Sequence, residues 1–229
     1  EDLVRRLDVT VSSEHRAGFE HLLRDRVPAL ASEYGGSWRG VFSEQHPATD
    51  TLAAAPAGGA FRDEHGRLLF RPAGHGALVR NLAESGRDLV FLKNIDNVAV
   101  ARLKGDTSRW SRGLIGLAAE LSEGIAAHVR GVRAGAPGAT QRAVAFAERE
   151  LGQVLRPGLP AEAIVEALDR PVRVCGMVAN TGEPGGGPFW VDGPLGVTRQ
   201  IVESAQVDPD SAVQQAILRS ATHFNPVFI

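Results

Sequence analysis

An apolar run in "LVFLKNIDNV", residues 89–98, ends in a carboxylate flanked by two amides: Asp96 follows Asn94 and precedes Asn97. The run is apolar on both faces, as parallel strands covered on both sides are. Ligands of open α/β sheets bind beyond the carboxyl ends of the strands. A carboxylate there can hold Mg²⁺ against substrate phosphates, because Mg²⁺ takes one or two carboxylates together with phosphate oxygens. The alternative is that Asp96 only forms a turn, which Asp-Asn pairs favour.

A second motif, Gly74–His75–Gly76 in "FRPAGHGALV", opens a helix predicted over residues 75–86. Glycines at such a place let backbone N–H groups approach a base or a phosphate closely. The other interpretation is a plain helix start after Pro72. Taken alone, the motif therefore leaves both a nucleotide contact and a structural role open.

The composition of the chain limits the classes of function that it can have. The chain has 229 residues, 43% hydrophobic and 23% charged, and a formal net charge of −2, with Cys175 as its one cysteine. A near-neutral chain has no bulk attraction for nucleic acid or anionic lipid, and no apolar run has the roughly 20 residues of a membrane helix. The chain opens on charged residues rather than a signal peptide, so we expect a cytoplasmic protein. The two lysines are Lys93 and Lys104, and Lys93 or Arg71 can offset phosphate charge near the motifs.

The order of patterns predicts the fold class. Leu7, Val9 and Val11 alternate as in a strand, and a helical pattern then runs to the glycines at 35–36. Strand and helix patterns continue to alternate to about residue 105, and strand patterns group late. We therefore expect a mixed, mostly parallel α/β sheet flanked by helices. The side chains expected in its core are Val90, Phe91, Leu92, Val172, Val174 and Met177.

The stretch "GEPGGGPFW" has the most unusual composition. Three consecutive glycines either admit a ligand to the backbone or form a hairpin between "CGMVAN" and "FWV". In the first case Glu183 is the polar candidate. Cys175, within an apolar run, is expected to be a small core residue.

Several of these stretches together carry a family resemblance. In chain order they are "FRPAGHGALVRNL", "DLVFLKNIDNV", "VRVCGMVANTGEPGGGPFWV", "QIVESAQVD" and "THFNPV". The sequence over residues 7–229 resembles the bacterial domain-of-unknown-function 4301 family. That family is itself similar to the sugar nucleotidyltransferases of the UDP-sugar pyrophosphorylase type, which have a glycosyltransferase-A-like sheet.

The resemblance implies site residues and a division of the chain. Asp96 would carry a Mg²⁺ ion. Lys93 is added to it as a catalytic candidate because its positive charge can offset phosphate charge beside the motif, and not because of the resemblance. The residues implied to contact the nucleotide are Gly74, His75, Gly76 and Asn97. The residues implied on the sugar side are Glu203, Asn225 and Glu183. Residues 1–132 would form the nucleotide and metal side, and residues 133–229 a helical linker with a β-rich sugar side.

The sequence also departs from that pattern, since the Gly-rich, Arg-bearing loop that binds the triphosphate in related enzymes has no counterpart here. We therefore expect the chain to be a fragment of a longer protein, without nucleotidyl transfer of its own. Two function hypotheses follow: a Mg²⁺-dependent sugar nucleotidyltransferase acting on a sugar 1-phosphate and a nucleoside triphosphate, or a non-catalytic nucleotide-sugar binding module on the same fold.

Overall fold

The protein is described by a computed structural model that covers residues 4–93, 99–182 and 185–229, leaving aside the side chains of Val4, His75 and Ala101. The chain divides into two units, Glu1–Asp88 and Leu89–Ile229. Within the described residues, no helix combines the length and the apolar character needed to cross a bilayer.

The first unit is built on a β-α-β arrangement. Strand β1 (Val4–Thr10) and strand β2 (Ser37–Ser43) pair in parallel, and helix α1 (Ser13–Tyr34) connects them. The helix ends at Gly35, whose φ of 67° is the left-handed conformation that glycine adopts readily. A Cβ added at Gly40 would collide with the side chain of Leu23, so α1 packs closely on β2.

Short elements complete the first unit. Strands β3 (Thr51–Leu52) and β4 (Phe70–Arg71) pair antiparallel across a hairpin-like turn. At that turn the Asp63 carboxylate accepts hydrogen bonds from the backbone N–H of Arg67 and His65, both at 2.9 Å. The Arg67 backbone bond is the main reason that the pKa of Asp63 is lowered. A 3₁₀ helix, His75–Leu78, then leads into α2 (Val79–Glu84).

Three helices hold the core of the second unit. They are α3 (Lys104–Arg133), α4 (Ala139–Leu151) and α5 (Ala161–Leu168). Their buried side chains recur at the spacing of a helical face. These side chains, with Leu155 beside them, are Ile125, Val129, Val132, Ala139, Ala143, Phe146, Ala147, Ile164, Ala167 and Leu168.

Small residues let α3 and α4 come close together. Ala143 and Ala147 are fully buried, and a Cβ added at Gly124 would lie 2.9 Å from the ring of Phe146. The aromatic ring thus fills the space that a larger side chain on α3 would need. Interiors packed to this density leave little room for added methyl groups.

The sheets of the second unit are short. Strands β5 (Gln153–Leu155), β7 (Gly187–Gly193) and β8 (Gly196–Val202) form an antiparallel sheet in the order β5-β8-β7. Strand β6 (Val178–Ala179) pairs antiparallel with β9 (His223–Phe224). Helix α6 (Ala212–Arg219) precedes β9 in the chain.

The structure supports a mixed α/β fold but corrects two finer expectations. The expected mostly parallel sheet is wrong, because β1–β2 is the one parallel pair among the described strands and the remaining pairs are antiparallel. The expected sheet core is also wrong: Val90 is 45% exposed and Val172 38%, while the other four residues are only partly buried. Helices α3, α4 and α5 supply the core instead, and a short apolar run does not by itself distinguish a central strand from a segment on an edge.

Candidate functional site

Residues 223–229, called here the C-terminal segment, contact three separate stretches of the second unit. Its first residues form β9 and pair with β6. Asn225 forms a bridge with Gly186, and Phe228 forms one with Lys93. Leu92 and Ile229 exchange backbone hydrogen bonds of 2.7 and 3.0 Å. The segment therefore gathers residues from near positions 92, 178 and 186 around itself.

Asn225 fixes the shape of the C-terminal segment. It is 5% exposed. Its Nδ2 donates to the Gly176 carbonyl at 2.7 Å, and its Oδ1 accepts from the Val227 backbone N–H at 2.9 Å. Val227 has a φ of 54°, a left-handed conformation that a β-branched residue rarely adopts. The amide of Asn225 thus stabilises a tight, strained turn.

The glycines of the sequence "GEPGGGPFW" allow this close packing. A Cβ at Gly185 would lie 2.6 Å from the Phe224 ring, and one at Gly186 would collide with Ile201. The hairpin considered between "CGMVAN" and "FWV" is not formed by the described strands, because β6 pairs with β9 and β7 pairs with β8. The glycine run instead lets the backbone approach the C-terminal segment.

Glu203 lies at the end of β8, next to the glycine run. It begins a 3₁₀ helix, Ser204–Gln206, with a capping box: its side chain accepts from the backbone of Gln206, and the Gln206 side chain accepts from the Glu203 N–H at 2.9 Å. A Cβ added at Gly186 would lie 3.4 Å from Cγ of Glu203. The exposed carboxylate is therefore held beside the backbone that Asn225 also contacts.

Lys93 reaches the same region from the other side of the C-terminal segment. Its Nζ lies 5.9 Å from the centre of the Phe228 ring, a cation–π contact. The ring of Phe91 meets Phe228 edge-on at 4.9 Å between centroids. Phe228 was not predicted as part of the site. The signal that could have identified it is a large apolar residue directly after "HFNPV", which indicates that the turn packs against other side chains.

Three of the expected site residues thus share one region of the second unit: Lys93, Glu203 and Asn225, which are far apart in the sequence. The region combines a cation, a carboxylate and closely packed glycine backbone. Such groups are suited to a ligand with both negative charge and hydroxyl groups.

The other expected site residues are distributed differently. Asp96, Asn97 and Glu183 lie outside the described residues. The motif 74–76 belongs to the first unit, where its residues lead into the 3₁₀ helix. A Cβ at Gly74 or at Gly76 would meet nothing within 4 Å, so both glycines have open space beside them. Across the three described ranges, no group of three or more His, Cys, Asp or Glu residues is arranged to hold a metal ion.

We expect Asn225→Ala to lower the free energy of unfolding by about 1–3 kcal/mol, because it removes two partly buried side-chain hydrogen bonds that are worth about 0.5–1.5 kcal/mol each. Urea unfolding followed by circular dichroism measures this. The matched control is Asn180→Ala, since Asn180 is exposed and its Oδ1 accepts one bond from the Gly182 N–H. Equal stabilities of the two variants would contradict the structural role assigned to Asn225.

The fold and this region define a mixed α/β protein whose second unit carries a polar cluster around its C-terminal segment. The chain belongs to the family described as "Domain of unknown function (DUF4301)", whose model matches residues 2–229. No curated protein matches the chain, and no solved structure does. The family membership expected from the motifs is thereby confirmed.

Proposed function

We propose that the protein binds a nucleotide sugar together with Mg²⁺ at a site of the sugar nucleotidyltransferase type on a glycosyltransferase-A-like scaffold, and that these 229 residues alone do not catalyse the transfer. One observation carries the proposal: Lys93, Glu203 and Asn225, chosen from sequence motifs more than 100 positions apart at the extremes, lie around one segment. The parallel β1–α1–β2 arrangement of the first unit is compatible with such a scaffold.

The side chains of the motif around Asp96 suit Mg²⁺ rather than a metal whose ligands must all come from the protein. Asp96 follows Lys93 by three residues and has Asn97 beside it. Mg²⁺ commonly uses one or two carboxylates and takes its other ligands from water and substrate phosphates. A cluster of three acidic or histidine side chains is therefore not required. When bound, the ion would neutralise phosphate charge during transfer.

The chain's own residues have distinct tasks under this proposal. Lys93 offsets phosphate charge next to the motif that contains Asp96. Glu203 accepts hydrogen bonds from sugar hydroxyls. Gly74 and Gly76 bring backbone N–H groups close to the nucleotide, which the open space beside them permits. Phosphoryl chemistry asks little more of a protein than such positioning and charge neutralisation.

A binding experiment tests the proposal. Nucleoside triphosphates and nucleotide sugars are titrated into the protein by calorimetry with and without Mg²⁺, and pyrophosphate release is followed after adding sugar 1-phosphates. Mg²⁺-dependent binding without turnover is the expected result and supports the proposal. Turnover would contradict the expectation drawn from the missing triphosphate loop, and absence of binding across the panel overturns the proposal.

We expect Gly76→Val to weaken nucleotide binding at least tenfold while the melting temperature changes little. The added side chain occupies the open space through which a nucleotide would approach, and it meets no protein atom within 4 Å of its Cβ. Calorimetry and thermal unfolding measure the two effects. Gly18→Val is the matched control, because Gly18 in α1 has equally open surroundings and no expected ligand. Unfolding of the Gly76 variant, or equal affinity of both variants, would favour the plain helix-start interpretation.

A further inference from the structure

The second unit contains a cavity of about 450 Å³ that does not include Lys93, Glu203 or Asn225 in its lining. It lies between α3, the residues after α5, and the β5-β8-β7 sheet. Its volume is within the range of small-molecule sites. Its apolar side includes Leu117, Leu121, Ile125, Leu168, Val174 and Met177.

A row of polar side chains crosses the sheet side of this cavity. Gln153 on β5 and Thr198 on β8 are directly opposed in the antiparallel ladder, so their side chains share one face. Gln200 Nε2 contacts Thr198 Oγ1 at 3.1 Å, and Arg173 donates to Gln200 Oε1 at 2.9 Å. All four residues line the cavity. The row therefore extends from a buried amide at one end to a guanidinium at the other.

The buried end of the row has an unsatisfied acceptor. Gln153 is 9% exposed, and its Nε2 donates to the Ala167 carbonyl at 3.1 Å. Its Oε1 is shielded from solvent and has no hydrogen-bond partner among the described residues. Buried side-chain acceptors normally have a partner. A small rotation of the Gln153 amide toward the cavity that it lines would let an N–H or O–H donor there supply the missing partner.

The other end of the row is positively charged. The charged residues of the lining are Arg170, Arg173 and Arg199 against one acid, Glu150, which pairs with Arg149 at 2.7 Å. Arg199 lies between Thr198 and Gln200 on β8, so its side chain is on the opposite face of the sheet, with its guanidinium 5.9 Å from the centre of the Trp190 ring. Arg173 is therefore the cation at this end of the row. No ion pair joins Arg173 or Arg199 to a carboxylate in the described part of the chain. Cys175 also lines the cavity, and its pKa is raised because burial disfavours the thiolate. A thiol with a raised pKa stays protonated near neutral pH and is a poor nucleophile.

We propose that this cavity binds a small carboxylic acid whose apolar, ring-bearing body carries an N–H or O–H donor. The carboxylate pairs with Arg173, the body packs on the apolar side chains of α3, and the donor satisfies Oε1 of Gln153. A guanidinium matches a carboxylate with two parallel hydrogen bonds. A phosphate ester is a poorer fit, since its second charge would have to be desolvated beside a largely apolar wall.

Three probes test the proposal by calorimetry: indole-3-propionate, its uncharged amide, and 3-(1-naphthyl)propionate, which lacks the N–H. We expect the indole acid to bind at least tenfold more tightly than the amide and more tightly than the naphthyl acid. Arg173→Gln should remove the preference for the acid over the amide. Arg219→Gln on α6 is the matched control, being an exposed arginine outside the lining.

A second variant separates binding in the cavity from binding elsewhere. Val172→Trp places a large side chain on the cavity wall. Because the position is 38% exposed, we expect the fold to tolerate the change. Binding of the indole acid should be lost. The assignment is overturned if the acid and the amide bind equally well, or if the two arginine variants have equal effects. It is also overturned if Val172→Trp leaves the affinity unchanged, or if no probe binds to the unaltered chain. None of these outcomes depends on nucleotide binding.

Discussion

Replacing Gly196 by valine is expected to lower the free energy of unfolding of the second unit by about 2–6 kcal/mol. Two costs add. Gly196 has a φ of 141°, where side chains other than hydrogen are strained by about 1–3 kcal/mol. A Cβ there would also collide with the carbonyl oxygen of Val154 and lie 2.9 Å from Cα of Leu155. Overpacking of this kind adds about 1–3 kcal/mol.

The neighbouring glycine of the same hairpin provides the control. Gly193 pairs with Gly196 across the turn between β7 and β8. A Cβ at Gly193 would meet only the Gly196 carbonyl oxygen, at 3.5 Å, which is ordinary contact. Gly193→Val should therefore cost much less in urea unfolding. If both variants lose the same stability, the close approach of β8 to β5 is not what requires glycine at 196.

Replacing Asp96 by asparagine is expected to weaken Mg²⁺-dependent nucleotide-sugar binding by more than about 100-fold. The two side chains have nearly the same shape, so the change removes the charge and little else. Loss of a residue that only orients a metal ligand already costs about 10–100-fold, and loss of the charged ligand itself should cost more. Binding measured without Mg²⁺ should change little, because the ion is the partner of this carboxylate.

Calorimetry with and without Mg²⁺ measures this difference. Asp88→Asn removes a carboxylate eight positions earlier in the chain and is expected to leave the Mg²⁺ dependence intact. If Asp96→Asn also leaves it intact, Asp96 belongs to a turn, and the ion, where it binds, uses other groups.

Local patterns predicted much of the secondary structure. Alternation at Leu7, Val9 and Val11 and the glycine pair at 35–36 delimit β1 and α1. Helical patterns over residues 107–131, 140–153 and 160–169 predict α3, α4 and α5 to within a few residues of their ends. These signals are local, since hydrophobic periodicity and helix-ending glycines act within one or two turns of chain.

The pairing of the apolar runs was not predictable in the same way. The runs at 89–92 and 172–177 look like central strands by composition, but their partner is the C-terminal segment, far along the chain. Periodicity contains no information on which distant segment pairs with which. The hydrogen bonding of the buried Asn225 amide was not predicted for the same reason, because its partner Gly176 is 49 positions away.

The site was predicted only as a set of residue types. Motifs selected Lys93, Glu203 and Asn225, and the structure gathers these three in the second unit. The cavity with Arg173 and Gln153 left no sequence signal, because its polar row is created by cross-strand pairing rather than by spacing along the chain. Its members come from separate elements and have ordinary composition.

The C-terminal segment also determines how the candidate site moves. Because its seven residues supply backbone partners to stretches near 92, 176–180 and 186, these stretches lose their partners together whenever the segment detaches. They therefore form one cooperative opening unit, distinct from the packed helices α3, α4 and α5. Lys93 and the glycine run are then ordered or disordered together. A ligand that contacts both binds only when the C-terminal segment is in place, so the free energy of that ordering limits the ligand's affinity.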